Sequence, residues 1–139
     1  MTGTDTSTAH PGGVKTAAIS TLAVRLFNQY TGRGPTKART FVDDDLVTIV
    51  LQDTLTKAER VLADNDQSAL VLTTRKTFQD LIRDDLVAGI EGILHRKVIA
   101  FLSANHIDPD YGVESFILAP AEHAAPEVDG VSPVPTKAE

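Results

Sequence analysis

Two long stretches of the chain carry apolar residues at intervals of three and four, which is the spacing of one face of an α-helix. The first predicts a helix over residues 14–30, which ends where Gly32 begins a run of glycine and proline. The second predicts a long amphipathic helix over residues 68–94. Within it, Gly89 and Gly92 each cost about 1 kcal/mol of helix propensity relative to alanine. We therefore expect another backbone to approach the helix closely at these two positions.

Shorter segments that are rich in β-branched residues predict two antiparallel β-hairpins. The first has strands over residues 37–42 and 46–51, joined by a solvated turn of aspartates. The second has strands over residues 96–102 and 113–118, joined by the turn-rich segment 105–112.

A short helix is expected between the first hairpin and the long helix. Thr56 and Glu59 have the spacing of a capping box, which predicts a helix over residues 57–64. The resulting order is α-β-β-α-α-β-β. We therefore predict an α+β fold in which the long helix and two shorter helices pack on one face of a mainly antiparallel sheet. The order of the strands within the sheet stays open.

The composition is that of one globular domain with unstructured ends. A chain of 139 residues, 42% of them hydrophobic, has the size and composition to form a single core. We place this domain at residues 14–118. Residues 1–13 and 119–139 are small, polar or proline-rich without apolar periodicity, which predicts disordered tails. The absence of cysteine excludes disulfides and thiolate metal sites and is typical of a reducing compartment.

Charge and hydropathy argue against two kinds of partner. The formal net charge is −6, and residues 14–118 carry 12 Lys+Arg against 14 Asp+Glu. A domain without a basic excess is poorly suited to neutralising phosphates, so we expect no nucleic-acid binding. No segment reaches the roughly 20 apolar residues that span a bilayer, and the first residues lack the features of a secretory signal. We therefore expect a cytoplasmic location and no direct membrane insertion.

A basic, glycine-rich segment after the first predicted helix is the best candidate for ligand binding. Its glycines free backbone N–H groups, and its cations could attract bicarbonate or a phosphate-bearing metabolite. It lacks the Gly-Lys-Ser/Thr ending and the following helix of a phosphate-binding P-loop. The alternative is a helix stop followed by a basic strand edge. The candidate anion-binding residues are Gly32, Arg33, Gly34, Thr36, Lys37 and Arg39.

A weaker candidate for a metal site lies in the turn of the second hairpin. His106, Asp108 and Asp110 supply an imidazole and two carboxylates, but their spacing does not match an EF-hand loop. Ordinary turn chemistry accounts for the same residues. The aspartates at residues 43–45 point alternately if they lie on a strand, so they cannot all face one ion. We therefore expect no metal and no cofactor.

The sequence contains no recognisable catalytic constellation. Ser103 lies three residues before His106, but neither a nucleophile elbow nor an acid partner accompanies them. Glu59, Glu91 and Glu114 could act as general acids or bases only in desolvated pockets, and we expect all three to be solvated. We therefore predict that the protein is not an enzyme.

Two segments carry a resemblance to a known family. They read YTGRGPTKARTFVDDDLVTIVLQDTLTKAER and RKVIAFLSANHIDPDYGVESFIL, and their most specific parts are GRGPTK and FLSANHIDPD. Over residues 19–118 the chain resembles the MpsC-like family, which is named for a sodium-translocating, membrane-potential-generating system. The resemblance implies a bacterial cytosolic protein whose relatives are associated with membrane systems for ion or inorganic-carbon uptake. It implies no catalytic residues.

Two classes of function follow. In the first, which we favour, a soluble accessory or regulatory module binds a membrane-transport subunit or a second copy of itself through the exposed part of its sheet or long helix. In the second, a small-anion sensor changes a partner contact when its glycine-rich basic loop binds the anion. We also expect a homodimer, because a four-stranded sheet beside a long helix leaves edges or an apolar stripe uncovered. Any association with the membrane is expected to be through a partner.

Overall fold

The computed structural model describes residues 11–120, which form three helices and one four-stranded sheet. The elements in chain order are α1 (Pro11–Thr31), β1 (Lys37–Asp43), β2 (Leu46–Gln52), α2 (Lys57–Asp64), α3 (Ser68–Leu94), β3 (Val98–His106) and β4 (Tyr111–Leu118). The α+β class and the order α-β-β-α-α-β-β predicted from the sequence are confirmed.

Most helix boundaries agree with the predictions. Both α2 and α3 have the predicted bounds. The capping box is present at the start of α2, where the backbone N–H of Glu59 donates to Thr56 Oγ1 at 3.1 Å and that of Thr56 donates to Glu59 Oε1 at 2.9 Å. By contrast, α1 begins at Pro11, three residues before its predicted start. Most of the two predicted tails, residues 1–10 and 121–139, lies outside the described residues.

The second hairpin is tighter than predicted. The strand β3 continues to His106 and β4 begins at Tyr111, so the turn comprises residues 107–110 rather than 105–112. Asn105 belongs to the strand, where it pairs with Gly112 of β4, and its side chain also bonds to Gln79 of α3 beneath the sheet. A polar residue that is typical of a turn is therefore held in a strand by a contact distant in sequence.

The strand order, which the sequence leaves open, is β1-β2-β4-β3 with every neighbouring pair antiparallel. Each hairpin pairs its own strands, and the two hairpins meet where β2 pairs with β4. The register at this junction places Leu46 opposite Ile117 and Gln52 opposite Tyr111. The two central strands thus come from different hairpins, and β1 and β3 are the two edges.

The core lies between one face of the sheet and the helices α1 and α3. Side chains that alternate along β2 and β4 point to this face, and residues at helical spacing on α1 and α3 meet them. The short helix α2 packs against α3. The buried core residues are Ile19, Ala23, Leu26, Phe27, Val47, Ile49, Leu51, Ile82, Leu86, Ile90, Phe116 and Leu118.

The opposite face of the sheet carries no helix among the described residues, and we call it the open face. The strand register arranges its residues in four rows that cross the sheet from β1 to β3. The first row is Asp43, Leu46, Ile117 and Ala100, and the second is Phe41, Thr48, Ser115 and Leu102. The third row is Arg39, Val50, Val113 and Ala104, and the fourth is Lys37, Gln52, Tyr111 and His106.

The two glycines of α3 differ in their surroundings. A Cβ placed on Gly89 would overlap the side chain of Leu22 on α1, so α1 does pack closely at this position, but through a side chain rather than through its backbone. A Cβ on Gly92 would meet no atom within 4 Å, so the expectation is wrong there. Gly89 therefore makes room for a side chain of α1, whereas Gly92 does not.

Alanine substitutions at these two positions should have opposite effects. We expect Gly92→Ala to raise the free energy of unfolding by about 1 kcal/mol, because it gains helix propensity at no steric cost. We expect Gly89→Ala to lower it by about 1 kcal/mol or more, because Leu22 has to move in a packed contact. Urea unfolding of both variants checks the contrast, and equal effects would show that Gly89 does not limit the helix spacing.

Candidate functional site

A polar network closes one end of the sheet around Asp110, next to the start of β4. The Asp110 carboxylate accepts hydrogen bonds from Thr54 Oγ1 and the backbone N–H of Leu55, both at 2.9 Å, and from Arg60 Nη2 at 3.1 Å. Its side chain is only 10% exposed. Asp110 therefore holds the segment that follows β2 against the start of β4 and orients Arg60.

A second carboxylate in this network, Asp53, engages the glycine-rich segment. Its Oδ2 lies 2.7 Å from Arg33 Nη2, and its Oδ1 lies 3.6 Å from Arg60 Nη2. The hydrogen bond from Arg33 is the main cause that lowers the pKa of Asp53 below its usual value, while partial burial opposes it. Because both side chains of the Arg33–Asp53 pair are 40% exposed, the pair contributes little to stability.

The two glycines of the candidate anion loop have structural roles. Gly32 adopts φ 80°, the left-handed conformation that ends many helices, and its N–H donates to the Asn28 carbonyl at 2.9 Å. A Cβ on Gly34 would lie 3.0 Å from the carbonyl oxygen of Val24, so the loop packs directly on α1. These contacts favour the alternative in which the segment stops a helix and leads into a strand.

The three cations of the candidate loop lie in different surroundings. Arg33 is engaged by the Asp53 carboxylate. Lys37 lines a shallow groove of about 400 Å³ at the end of the sheet, and Thr36 lines it too. The Arg39 guanidinium instead lies 5.5 Å from the centre of the Phe41 ring. Anion binding by this segment stays a prediction, and Thr36 and Lys37 are its candidate members in the groove.

The residues of the weaker metal candidate do not converge. His106 Nδ1 lies 2.8 Å from the Pro109 carbonyl, within hydrogen-bonding distance. Asp108 is exposed, and the oxygens of Asp110 are occupied by the three donors described above. Within residues 11–120 there is no group of three or more His, Asp or Glu that could hold a metal ion.

A buried polar cluster lies beneath the middle of the sheet, centred on Glu114 of β4. Ser103 Oγ donates to Glu114 Oε1 at 2.5 Å, and Gln79 Nε2 donates to Glu114 Oε2 at 2.7 Å. Gln79 and Asn105 also bond to each other through their amides, at 2.8 and 3.1 Å. Both carboxylate oxygens of Glu114 thus accept a hydrogen bond inside the core.

The expectation that Glu114 is solvated is wrong, since its residue is 0% exposed. Burial raises its pKa to about 7, because the charged form loses its hydration. The hydrogen bonds from Ser103 and Gln79 and the positive charge of Arg75 oppose this rise without cancelling it. The Glu114 carboxyl group, on the central strand β4, therefore changes its charge near neutral pH.

Glu59 was also expected to be solvated, and it too is buried, in an ion pair with Arg75. Arg75 Nη1 lies 3.3 Å from Glu59 Oε1 and 3.4 Å from the Thr54 carbonyl, and the two side chains are 1% and 6% exposed. The guanidinium also lies 5.8 Å from the centre of the Phe27 ring. Arg75 Nε and Glu59 Oε2 have no hydrogen-bond partner among the described residues, so the pair is incompletely satisfied.

The sequence did contain a signal for this cluster. Arg75 and Gln79 lie on the buried stripe of α3 that also contains Val71 and Ile82, so two polar residues interrupt an apolar face. In the same way, Glu114 lies beside the apolar Phe116 on the inner face of β4. Polar residues at positions that periodicity assigns to the core indicate a buried network, and this signal was missed.

The described residues define a two-layer α+β domain with one face of its sheet covered by helices, one face open and an ionisable cluster in the core. Residues 13–120 match the family model described as Na+-translocating membrane potential-generating system (MpsC), and the chain belongs to this family. The resemblance proposed from the sequence is thereby confirmed. No curated protein and no solved structure matches the chain. None of the helices within residues 11–120 has the length and apolar character needed to cross a membrane.

Proposed function

We propose that the protein is a cytoplasmic accessory or regulatory protein of a bacterial membrane system for ion or inorganic-carbon uptake, and that it acts by binding other protein chains. The family description, which names a Na+-translocating system that generates a membrane potential, supports this setting. We infer the mode of action, which is the binding of other protein chains, from the open face of the sheet.

The open face has the composition of a protein-binding surface. Its first three rows are mainly apolar, and three of their large side chains are well exposed: Phe41 at 51%, Leu46 at 40% and Leu102 at 58%. In the middle of the face, the Thr48 and Ser115 hydroxyls lie 3.2 Å apart, within hydrogen-bonding distance of each other. Contiguous exposed apolar surface of this kind marks interaction sites in proteins that are otherwise well packed.

The proposal is tested in cells that carry the Na+-translocating system. Deletion of the protein should lower the membrane potential generated by Na+, and a tagged copy should recover an integral membrane subunit of that system from native membranes. A variant with Leu102→Lys should fail to restore the potential, whereas Leu81→Lys should restore it fully. Leu81 is the matched control because it is 57% exposed and lies on α3, away from the open face. An unchanged potential after deletion, with no membrane subunit recovered, would contradict the proposal.

A further inference from the structure

We propose that the open face is the interface of a homodimer, in which a second copy of the chain packs its own open face against the first. The two-fold axis runs parallel to the strands, so that β1 of each copy lies over β3 of the other. This inference rests on the proposed function insofar as both assign binding to the open face. It adds that a second copy of the chain occupies this face, and it states how the two copies are oriented.

The order of residues within the rows supports a second copy as the occupant. A two-fold axis parallel to the strands lays each row over the same row of the second copy, with its two ends exchanged. In the second row, Phe41 then lies over Leu102 of the second copy, and Leu102 lies over its Phe41. These are the most exposed large apolar side chains of that face, at 51% and 58%, and each covers the other.

The central strands match in the same arrangement. In the first row Leu46 lies over Ile117 of the second copy, and in the third row Val50 lies over Val113. An axis perpendicular to the strands would instead lay the apolar first row over the polar fourth row, and Leu46 over Gln52. The axis parallel to the strands is therefore the one that joins apolar to apolar surface.

The charges of the open face fit this dimer as well. All formal charges in its first three rows belong to β1, as Asp43 and Arg39. These two side chains lie over Ala100 and Ala104 of the second copy, at the rim of the interface and near solvent. No like charges of these rows are stacked, and the polar fourth rows meet at one end. Apart from the Thr48 and Ser115 hydroxyls in the middle, the covered surface is apolar and its charges lie at the rim, which is the usual anatomy of a protein interface.

The size of the face sets the expected strength of the dimer. Four strands about 4.8 Å apart with a rise of about 3.4 Å per residue give a face of about 19 Å by about 24 Å, or about 450 Å² per copy in projection. Two such faces bury about 900 Å², below the roughly 1,200 Å² at which standard stable interfaces begin. We therefore expect a reversible dimer with a dissociation constant on the order of micromolar.

Sedimentation velocity of the full chain, from about 1 µM to about 200 µM, tests the dimer. Phe41→Glu and Leu102→Lys should each raise the dissociation constant at least about tenfold, because each places a charge against an apolar side chain of the second copy. The variant that carries both changes should regain dimerisation, because the introduced carboxylate lies over the introduced ammonium of the second copy. Phe41 and Leu102 lie on opposite edge strands of one sheet, so the two charges cannot pair within a copy.

The controls separate the dimer from other uses of the open face. Leu81→Lys and Val61→Glu, at positions 57% and 54% exposed on the helical side, should leave the dissociation constant unchanged. A chain that stays monomeric at all these concentrations would overturn the dimer, and a dimer that tolerates both single changes would overturn its location. If each single change weakens the dimer and the combination does not restore it, the proposed axis is wrong. A monomeric chain whose Leu102→Lys variant still fails to restore the Na+-driven potential would leave the proposed function intact and assign the face to a membrane subunit.

Discussion

Replacing Arg75 with methionine is expected to lower the free energy of unfolding by about 3 to 5 kcal/mol. The change leaves the Glu59 carboxylate, whose side chain is only 6% exposed, without its cationic partner inside the protein. It also removes the hydrogen bond to the Thr54 carbonyl and the cation above the Phe27 ring. Urea unfolding at pH 7, compared with the wild-type chain, measures the loss.

A second substitution distinguishes the cost of the unpaired Glu59 charge from the cost of the lost Arg75 packing. In the variant with Arg75→Met and Glu59→Gln, the buried charge of Glu59 is removed together with its partner, and the glutamine can still accept the N–H of Thr56 in the capping box. We expect this variant to recover at least about half of the loss, because replacing both members of a buried pair is often nearly neutral. If the single and double variants lost equal stability, the cost would come from the shape of Arg75 rather than from the charge on Glu59.

Glu114 should make the protein less stable as the pH rises towards neutrality. Its pKa is about 7 in the folded chain and near the ordinary value of 4.5 when unfolded, so the folded form binds the proton more tightly between these values. The stabilising contribution is complete below about pH 4.5 and is lost as the pH rises through about 7. Its size is on the order of 3 kcal/mol.

The comparison with Glu114→Gln isolates this effect from all other titrating groups. The stability difference between the variant and the wild-type chain should shift by on the order of 3 kcal/mol in favour of the variant between about pH 4.5 and about pH 8. Asp80→Asn is the control, because the Asp80 side chain is 49% exposed and pairs with Lys76 on the helix surface. A difference between Glu114→Gln and wild type that does not vary with pH would show that Glu114 stays in one protonation state throughout.

The parts of the fold that the sequence predicted well are those decided by neighbours along the chain. The short helix α2 starts where Thr56 and Glu59 satisfy each other's backbone, three residues apart. The long helix α3 has the predicted bounds because its buried residues recur at every turn from Val71 to Ile90. In both, the physical cause acts within one or two helical turns, so periodicity and capping chemistry are sufficient to locate them.

The parts that escaped prediction are decided by contacts between distant segments. No local rule indicates that β2 pairs with β4, since this register depends on how two separate hairpins share one core. The burial of Glu114 requires Gln79 of α3 and Ser103 of β3 to meet it, and a strand pattern by itself does not show that. For the glycine-rich segment, the partner of Arg33 is Asp53, which lies 20 residues further along the chain.

The pairing of β2 with β4 at the centre of the sheet also bears on how the chain folds. Leu46 and Ile117 are opposite each other but about 70 residues apart in sequence, so a long loop has to close before the sheet becomes continuous. Until then, each hairpin exposes an unpaired inner edge and half of an apolar core. We therefore expect the meeting of the two hairpins, rather than the formation of either one, to limit the rate of folding. During synthesis β4 is the last of the described elements to emerge, so the nascent first hairpin has no native neighbour for its inner strand until nearly all of the domain has been translated.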